Sequence, residues 1–265
     1  MSAQVETFQL DVEQAEAYEA QFVPVLFGQW ARLLVDVAAI EPGQAVLDVA
    51  CGTGVVARAA ADLLAGDGSV AGLDLNEAML TVARRLRPDL DWRQGDALEL
   101  PFPDGTFDVV LCQSGLMFFP DPVRALAEMR RVVRRDGTVA VQVWSGLDAQ
   151  PAYRPLFDII ARHAGREAVD LVNTYFSLGD LDEIQARLVA ADLRVTGTST
   201  HLTVMRLPSV DAAVAVEVRS TPLGQRITEE VYERILADTR TEFARFCDPA
   251  GALHLPIEGA VVTAR

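Results

Sequence analysis

Apolar positions along this chain alternate between two periods. Between residues 11 and 22, Val12, Ala15, Tyr18 and Phe22 recur at helical spacing opposite an acidic face. That spacing predicts a helix. Pro24 suits the first turn of a second helix, with Val25, Trp30, Leu33, Leu34 and Val37 apolar. A turn at Pro42, Gly43 and Gln44 then leads into a short apolar run over residues 45 to 49, which reads as a buried strand. Val55, Val56, Ala59, Ala60 and Leu63 return to the helical period until Gly66. Residues 69 to 73 form a second strand ending at Asp74, and Asn76 caps a helix through Met79, Leu80, Val82, Ala83 and Leu86. Short strands over 91 to 94 and 107 to 112 follow, then a helix over 122 to 133 and a strand over 138 to 144. Strands alternating with helices predict an open, mostly parallel α/β sheet.

Past residue 144 the pattern is less regular. Residues 151 to 176 read as one or two helices, and Asp180 or Asp182 begins another through Ile184, Leu188 and Val189. Residues 193 to 207 alternate like a strand, 209 to 220 and 227 to 246 look helical, and 254 to 263 form a last strand. The predicted organisation is a single domain over 1–265. Residues 1–40 supply N-terminal helices, 41–145 a ligand-binding core, and 146–265 helical insertions around the last two strands.

The chemistry concentrates where the first strand ends. Asp48, Ala50, Cys51, Gly52, Thr53 and Gly54 join that strand to the next helix. Glycines there let backbone approach a ligand, and a helix N-terminus offers free N–H groups. The string Gly52-x-Gly54-x-x-Ala57 satisfies a shortened dinucleotide fingerprint, and Asp74 lies where a ribose-binding acid is expected. A carboxylate at Asp48 would repel a pyrophosphate. A ligand with a sulfonium and an ammonium group would tolerate it.

The net charge of −15 argues against a nucleic-acid partner, whose phosphates need a basic track. The chain has no lysine, which excludes Schiff-base and P-loop lysine chemistry. Cys51, Cys112 and Cys247 are too scattered for a disulfide framework or a zinc site, so no metal is expected and a reducing cytoplasm fits. Neither a secretory signal nor a membrane span is expected. Arg130, Arg131 and Arg134 read as a solvated helix face.

Val46-Leu47-Asp48-Val49-Ala50-Cys51-Gly52-Thr53-Gly54 resembles the first motif of class I S-adenosylmethionine-dependent methyltransferases. The likeness is to the small-molecule branch that includes ubiquinone/menaquinone biosynthesis methyltransferases. It continues in order through Gly72-Leu73-Asp74-Leu75-Asn76, Gly95-Asp96-Ala97, Leu100-Pro101-Phe102 and Phe107-Asp108-Val109-Val110. The resemblance implies a Rossmann-like seven-stranded sheet whose last strand is antiparallel and slots between the fifth and sixth. It implies S-adenosyl-L-methionine as cofactor and a small-molecule acceptor. Arg134-Arg135-Asp136-Gly137 departs from the proline and paired glycines usual in the family, and reads as a turn.

Each site residue has a second reading. Asp74 would accept from ribose hydroxyls or cap a helix. Asp96, after Gly95 and before Ala97, would accept from the adenine amino group or only shape a turn. The resemblance implies that Met79 lies on the adenine, where it would otherwise pack in the core, and Leu75 is a further cofactor-binding candidate. Tyr18 and Trp30 would close over the cofactor or pack on the sheet. Gln113 falls beyond a strand's carboxyl end, where ligands of parallel sheets bind, and Met117, Phe118 and Phe119 would wall an acceptor or pack. No catalytic base is evident; His163, His201 and His254 read as ordinary surface or core residues. Rival functions are an NAD-dependent oxidoreductase and a non-catalytic cofactor-binding module. The helices at 151 to 176 and 208 to 249 would form a lid over the acceptor, with a sheet face or homodimer contact as alternatives.

Overall fold

A computed structural model describes residues 10–219 and 222–265. Seven strands form one sheet in the order β3-β2-β1-β4-β5-β7-β6. They are β1 (Ala45–Val49), β2 (Ser69–Asp74), β3 (Asp91–Gln94), β4 (Phe107–Gln113), β5 (Val133–Trp144), β6 (Val195–Leu207) and β7 (Leu253–Ala264). Strands β1 to β5 pair in parallel. Arg194 and Arg265 exchange both backbone hydrogen bonds, at 2.8 and 3.0 Å, so the last two strands meet antiparallel. This is the Rossmann-like sheet expected, with β7 between β5 and β6.

The helices are α1 (Val12–Gln21), α2 (Gly28–Ala38), α3 (Val55–Leu64), α4 (Glu77–Leu86), α5 (Pro122–Val132), α6 (Tyr153–Ala164), α7 (Arg166–Asn173), α8 (Leu181–Ala190), α9 (Val210–Val214) and α10 (Glu229–Phe243). The chain divides into two compact units. The first is Met1–Val143, Asp180–Thr200 and Ala260–Arg265; the second is Trp144–Gly179 and His201–Gly259.

In the first unit, α2 and α3 bury Leu34, Val35, Val56, Ala57, Ala60 and Leu64 with Val46, Leu111 and Val261 of the sheet. Apolar area removed from water drives this packing. The buried face of α3 differs from the one expected. Leu64 is buried and Leu63 is half exposed, at 50%. Gly54 enters the helix in a left-handed conformation, φ 84°. In an alanine-rich run both phases satisfy a helical period, so tertiary packing decides.

Pro24 does not open an α-helix. It lies in a π-helical turn, Val23–Phe27, that precedes α2. β5 starts at Val133, so Arg134 to Gly137 lie in a strand with a register shift opposite Phe107 to Val109 rather than in a turn. The arginines of α5 are no idle solvated face either. Arg131 commits its guanidinium to both Glu128 oxygens, Asp104, and the carbonyls of Leu100 and Phe102, at 2.7 to 2.9 Å. Glu128 also accepts from the Leu100 N–H at 2.9 Å. A planar fork with five donors can close such a loop where a point charge cannot. Arg134 pairs with Asp108.

In the second unit, Tyr153, Phe157 and Phe176 pack ring to ring, and α6 lies against α7 and α10. His163 pairs with Asp238 at 2.8 Å and His254 with Asp248 at 3.2 Å, which fits the ordinary readings of both. Among the described residues, no helix is long and apolar enough to cross a membrane, and no cluster suited to a metal ion occurs.

Candidate functional site

The first unit gathers its polar groups at the carboxyl ends of β1, β2 and β4. β1 ends at Val49, and Ala50 follows with φ 55°; β4 ends at Gln113, and Ser114 follows with φ 50°. A left-handed conformation in a residue with a Cβ costs about 1–2 kcal/mol, and such strain collects at functional sites. The two neighbouring strands therefore both spend strain on the same edge of the sheet.

The glycine turn is tied down by acids from two strands. The Gly52 N–H donates to Asp74 Oδ2 at 2.7 Å, and the Asn76 N–H donates to Asp74 Oδ1 at 2.8 Å. One carboxylate thus braces the turn after β1 and begins the turn into α4. Asn76 then caps α4, accepting from the Ala78 N–H at 2.8 Å. Asp48 is buried, and its Oδ2 accepts from the Ala57 N–H in the first turn of α3 at 3.0 Å. Burial pushes the Asp48 carboxyl up to about 8, with the nearby Asp74 adding to the rise. Burial also raises Asp74, against the backbone N–H groups of Asn76 and Gly52. The anionic Asp48 invoked above to repel a pyrophosphate is therefore not what the surroundings favour. A carboxyl held up to about 8 is mainly neutral at pH 7, and discrimination between cofactors must rest on the whole arrangement.

The two turn glycines do different work. A Cβ on Gly52, φ 56°, would meet no atom within 4 Å. A Cβ on Gly54 would lie 2.2 Å from the Trp92 ring. Gly52 therefore leaves space on the open side of the turn, while Gly54 lets Trp92 pack beneath it. Trp92 is itself held by its Nε1–H, which donates to the Arg87 carbonyl at 2.7 Å.

The other expected residues are placed as follows. Cys51 is buried, and burial raises its thiol well above the ordinary value, so it is inert. Thr53 is buried, and its Oγ1 has no hydrogen-bond partner. Leu75, beside Asp74, is 45% exposed although apolar, and Met79 is half-buried. The Gly95 N–H donates to the Asp74 carbonyl at 3.0 Å, which brings the end of β3 to the end of β2. Asp96 is exposed and accepts from the Leu98 N–H at 2.9 Å; Ala97 is buried. Tyr18 stacks on Phe22 at 6.0 Å and meets Phe27 at 5.2 Å, whereas Trp30 is fully buried in the core.

Gln113 links this edge to the N-terminal segment. Its Nε2 donates to the Phe27 carbonyl at 3.2 Å, and its buried Oε1 has no hydrogen-bond partner. Leaving a buried acceptor unpaired costs about 1–3 kcal/mol. Thr53 Oγ1 and Gln113 Oε1 are orphaned atoms that a bound ligand with donor groups would satisfy. Gln142 was not singled out from sequence. Fully buried in β5, it accepts from the Ser114 hydroxyl at 2.6 Å. A glutamine inside an apolar strand was the available signal. Met117 is buried and Phe118 and Phe119 are half-buried.

Residues 47–141 match the family described as "Methyltransferase domain". A demethylmenaquinone methyltransferase from Renibacterium salmoninarum is 41% identical over 145 residues, covering 55% of this chain and 58% of that protein. A 2-phytyl-1,4-naphtoquinone methyltransferase from Synechococcus elongatus is 38% identical over 133 residues, covering 48% and 55%. The chain thus spans little more than half the length of these curated relatives. A solved S-adenosylmethionine-dependent methyltransferase from Aquifex aeolicus shares the fold, with a TM-score of 0.53, 17% identity, and coverage of 72% of this chain and 92% of that one. The likeness is therefore one of a segment and a fold: residues 47–141 match the methyltransferase domain, and the sheet around them has the fold of the solved methyltransferase.

Proposed function

We propose that this chain is an enzyme that transfers a methyl group from S-adenosyl-L-methionine to a small-molecule acceptor. The observation that carries the reading is the braced turn. Gly52 is locked by Asp74, open on its free side, and set in a segment that matches the methyltransferase domain. The orphaned Thr53 Oγ1 and Gln113 Oε1 fit a ligand bearing ammonium and other donor groups. When bound, the cofactor supplies a methyl group already activated on sulfonium.

The chain's own residues then have mainly to hold and orient. Gly52, Thr53 and Gln113 would hold the amino-acid portion, with Asp48, Ala50, Cys51 and Gly54 shaping the turn beneath it. Asp74 would accept from the ribose hydroxyls. Leu75 and Met79 would wall the adenine, with Gly95, Asp96 and Ala97 at its edge. Tyr18 stands in the aromatic group of the N-terminal segment and would help exclude water; Trp30 would support it from the core.

The acceptor is proposed to be selected by the segment 146–265, including the helices at 151 to 176 and 208 to 249. The relatives' names, which refer to menaquinone and naphthoquinone chemistry, support a planar cyclic acceptor. A cytoplasmic setting belongs to the same reading, supported by three free thiols.

Titration calorimetry tests the cofactor. S-adenosylhomocysteine should bind, while NAD and NADP give no heat. Tight NAD binding with a silent S-adenosylhomocysteine titration would reverse the assignment. Deleting residues 210 to 248 should leave that binding intact and abolish transfer to the acceptor; retained turnover would place selection elsewhere.

A further inference from the structure

Asp48 is a buried acid without a counter-charge. It is 1% exposed, near the end of β1 and beneath the glycine turn. Its Oδ2 accepts one hydrogen bond, from the Ala57 N–H at 3.0 Å. Among the described residues, no arginine or histidine pairs with it. Arg58 is the cation that acts on it from α3, but that guanidinium is committed to Glu19 at 2.8 Å and to the Thr53 carbonyl at 3.2 Å. The other titratable groups around it give no compensation. Asp74, at the end of β2, carries the same sign. Cys51 in the turn and Cys112 in β4 have thiols that burial keeps neutral.

A carboxylate in such a place is costly until something neutralises it. A proton is one answer, and the carboxyl accordingly titrates at about 8. A positive charge on a ligand is the other. Asp48 lies where that charge would be felt. Asp74, which acts on Asp48, also holds the Gly52 N–H at 2.7 Å. A Cβ on Gly52 would meet no atom within 4 Å, so the turn has room on its free side. No contact with the carboxyl is required, because charges several ångströms apart still couple where the dielectric is low.

We propose that Asp48 is a proton-exchange site for the cofactor: it holds a proton until the ammonium group of the cofactor's amino-acid portion settles on the turn, and then releases that proton to solvent. The inference rests on the methyl-transfer reading for its ligand and goes beyond it by tying occupancy to pH. In the exchange the O–H bond of the neutral carboxyl breaks and the proton passes to water. The carboxylate left behind is the counter-charge of the ammonium. Leaving reverses the exchange, so the site is neutralised in both states. An anionic pyrophosphate on the same turn would act with the opposite sign and keep the proton on Asp48.

The test is calorimetric titration of the full chain with S-adenosylhomocysteine, which carries the ammonium group, at pH 7 in phosphate and in imidazole. These buffers differ in ionisation enthalpy, so the difference in heat counts the protons released. Up to about one proton per chain should appear, since a carboxyl held up to about 8 is mostly protonated at pH 7. Affinity should rise by up to about tenfold per pH unit between pH 6 and pH 8 and then level off, because the free carboxyl has by then lost its proton. 5′-Methylthioadenosine lacks the amino-acid portion and should release none. Asp48→Asn keeps an acceptor for the Ala57 N–H and matches the neutral acid in shape, so it should fold; its binding should be flat with pH and release no proton. Binding in the parent chain without proton release, or with proton uptake, would overturn the proposal and leave the methyl-transfer reading standing. Equal release with 5′-methylthioadenosine, or undiminished release in Asp48→Asn, would overturn it too. No binding of S-adenosylhomocysteine at any pH would sink both.

Discussion

Asp74 holds Gly52 by a 2.7 Å hydrogen bond from the glycine's N–H to Oδ2, across 22 residues of sequence. The other oxygen holds the Asn76 N–H at 2.8 Å. The acid proposed to hold the ribose is also a brace between two turns. Asp74→Ala should lower stability by about 1–3 kcal/mol as well as weaken cofactor binding, since two backbone donors lose a charged acceptor. Urea unfolding beside S-adenosylhomocysteine titration separates the two effects. Full stability in Asp74→Ala would show that the brace contributes nothing to the fold.

The glycines at 52 and 54 should fail differently. Gly52→Ala meets open space and costs only the left-handed backbone, about 1–2 kcal/mol, so it should fold and lose ligand affinity. Gly54→Ala drives a methyl group into the Trp92 ring and should cost more, about 3 kcal/mol or above once strain and repacking add. Thermal melts of the two variants check the order. A more stable Gly54→Ala would contradict the packing described for Trp92.

Asp48 makes a signed prediction about pH. Its carboxyl titrates at about 8 in the folded chain against 3.8 as an ordinary aspartate. Between those values the folded state holds a proton that the unfolded state releases, so stability falls as pH rises. The contribution is fully present below 3.8 and lost as pH passes through about 8. Its full span is on the order of 5 kcal/mol. Asp48→Asn keeps an acceptor for Ala57 and does not titrate. Urea midpoints at pH 5 and pH 8 should therefore fall further in the parent chain than in Asp48→Asn. Parallel losses would mean that Asp48 titrates normally.

Arg131 closes the loop after β3 onto α5 with three hydrogen bonds, to Leu100, Phe102 and Asp104, and makes two more to Glu128 on α5 itself. It is about one-third exposed, which screens its ion pairs, so most of its worth lies in the carbonyls and the buried side of Glu128. Arg131→Lys should lose about 1–2 kcal/mol, because a point charge cannot serve both carbonyls and the carboxylate. A urea midpoint equal to that of the parent chain would show the fork geometry to be unimportant.

Local chemistry made much of this chain legible. The strand and helix periods located β1 to β4 almost to the residue, and Asn76 announced the cap it makes on α4. The motif order placed the glycine turn and the acids Asp74 and Asp96 at strand ends, because those positions follow from chain direction in a parallel sheet.

Tertiary structure decided what depends on contacts distant in sequence. No periodicity distinguishes Leu63 from Leu64 in an alanine-rich helix; the sheet beneath α3 does. Nothing in the arginine run of α5 reveals that Arg131 gathers Leu100, Phe102 and Asp104. The protonation of Asp48 follows from burial, which a sequence does not display. Gly52 and Gly54 look equivalent until Trp92, 38 residues beyond Gly54, packs against only one of them. Glu217 and Tyr153, 64 positions apart, become partners only when α6 and the π-helical turn Ala215–Arg219 come together. The chain's residues set its local conformations through backbone sterics and short-range hydrogen bonds. The character of each polar group came from the neighbours that folding brought to it.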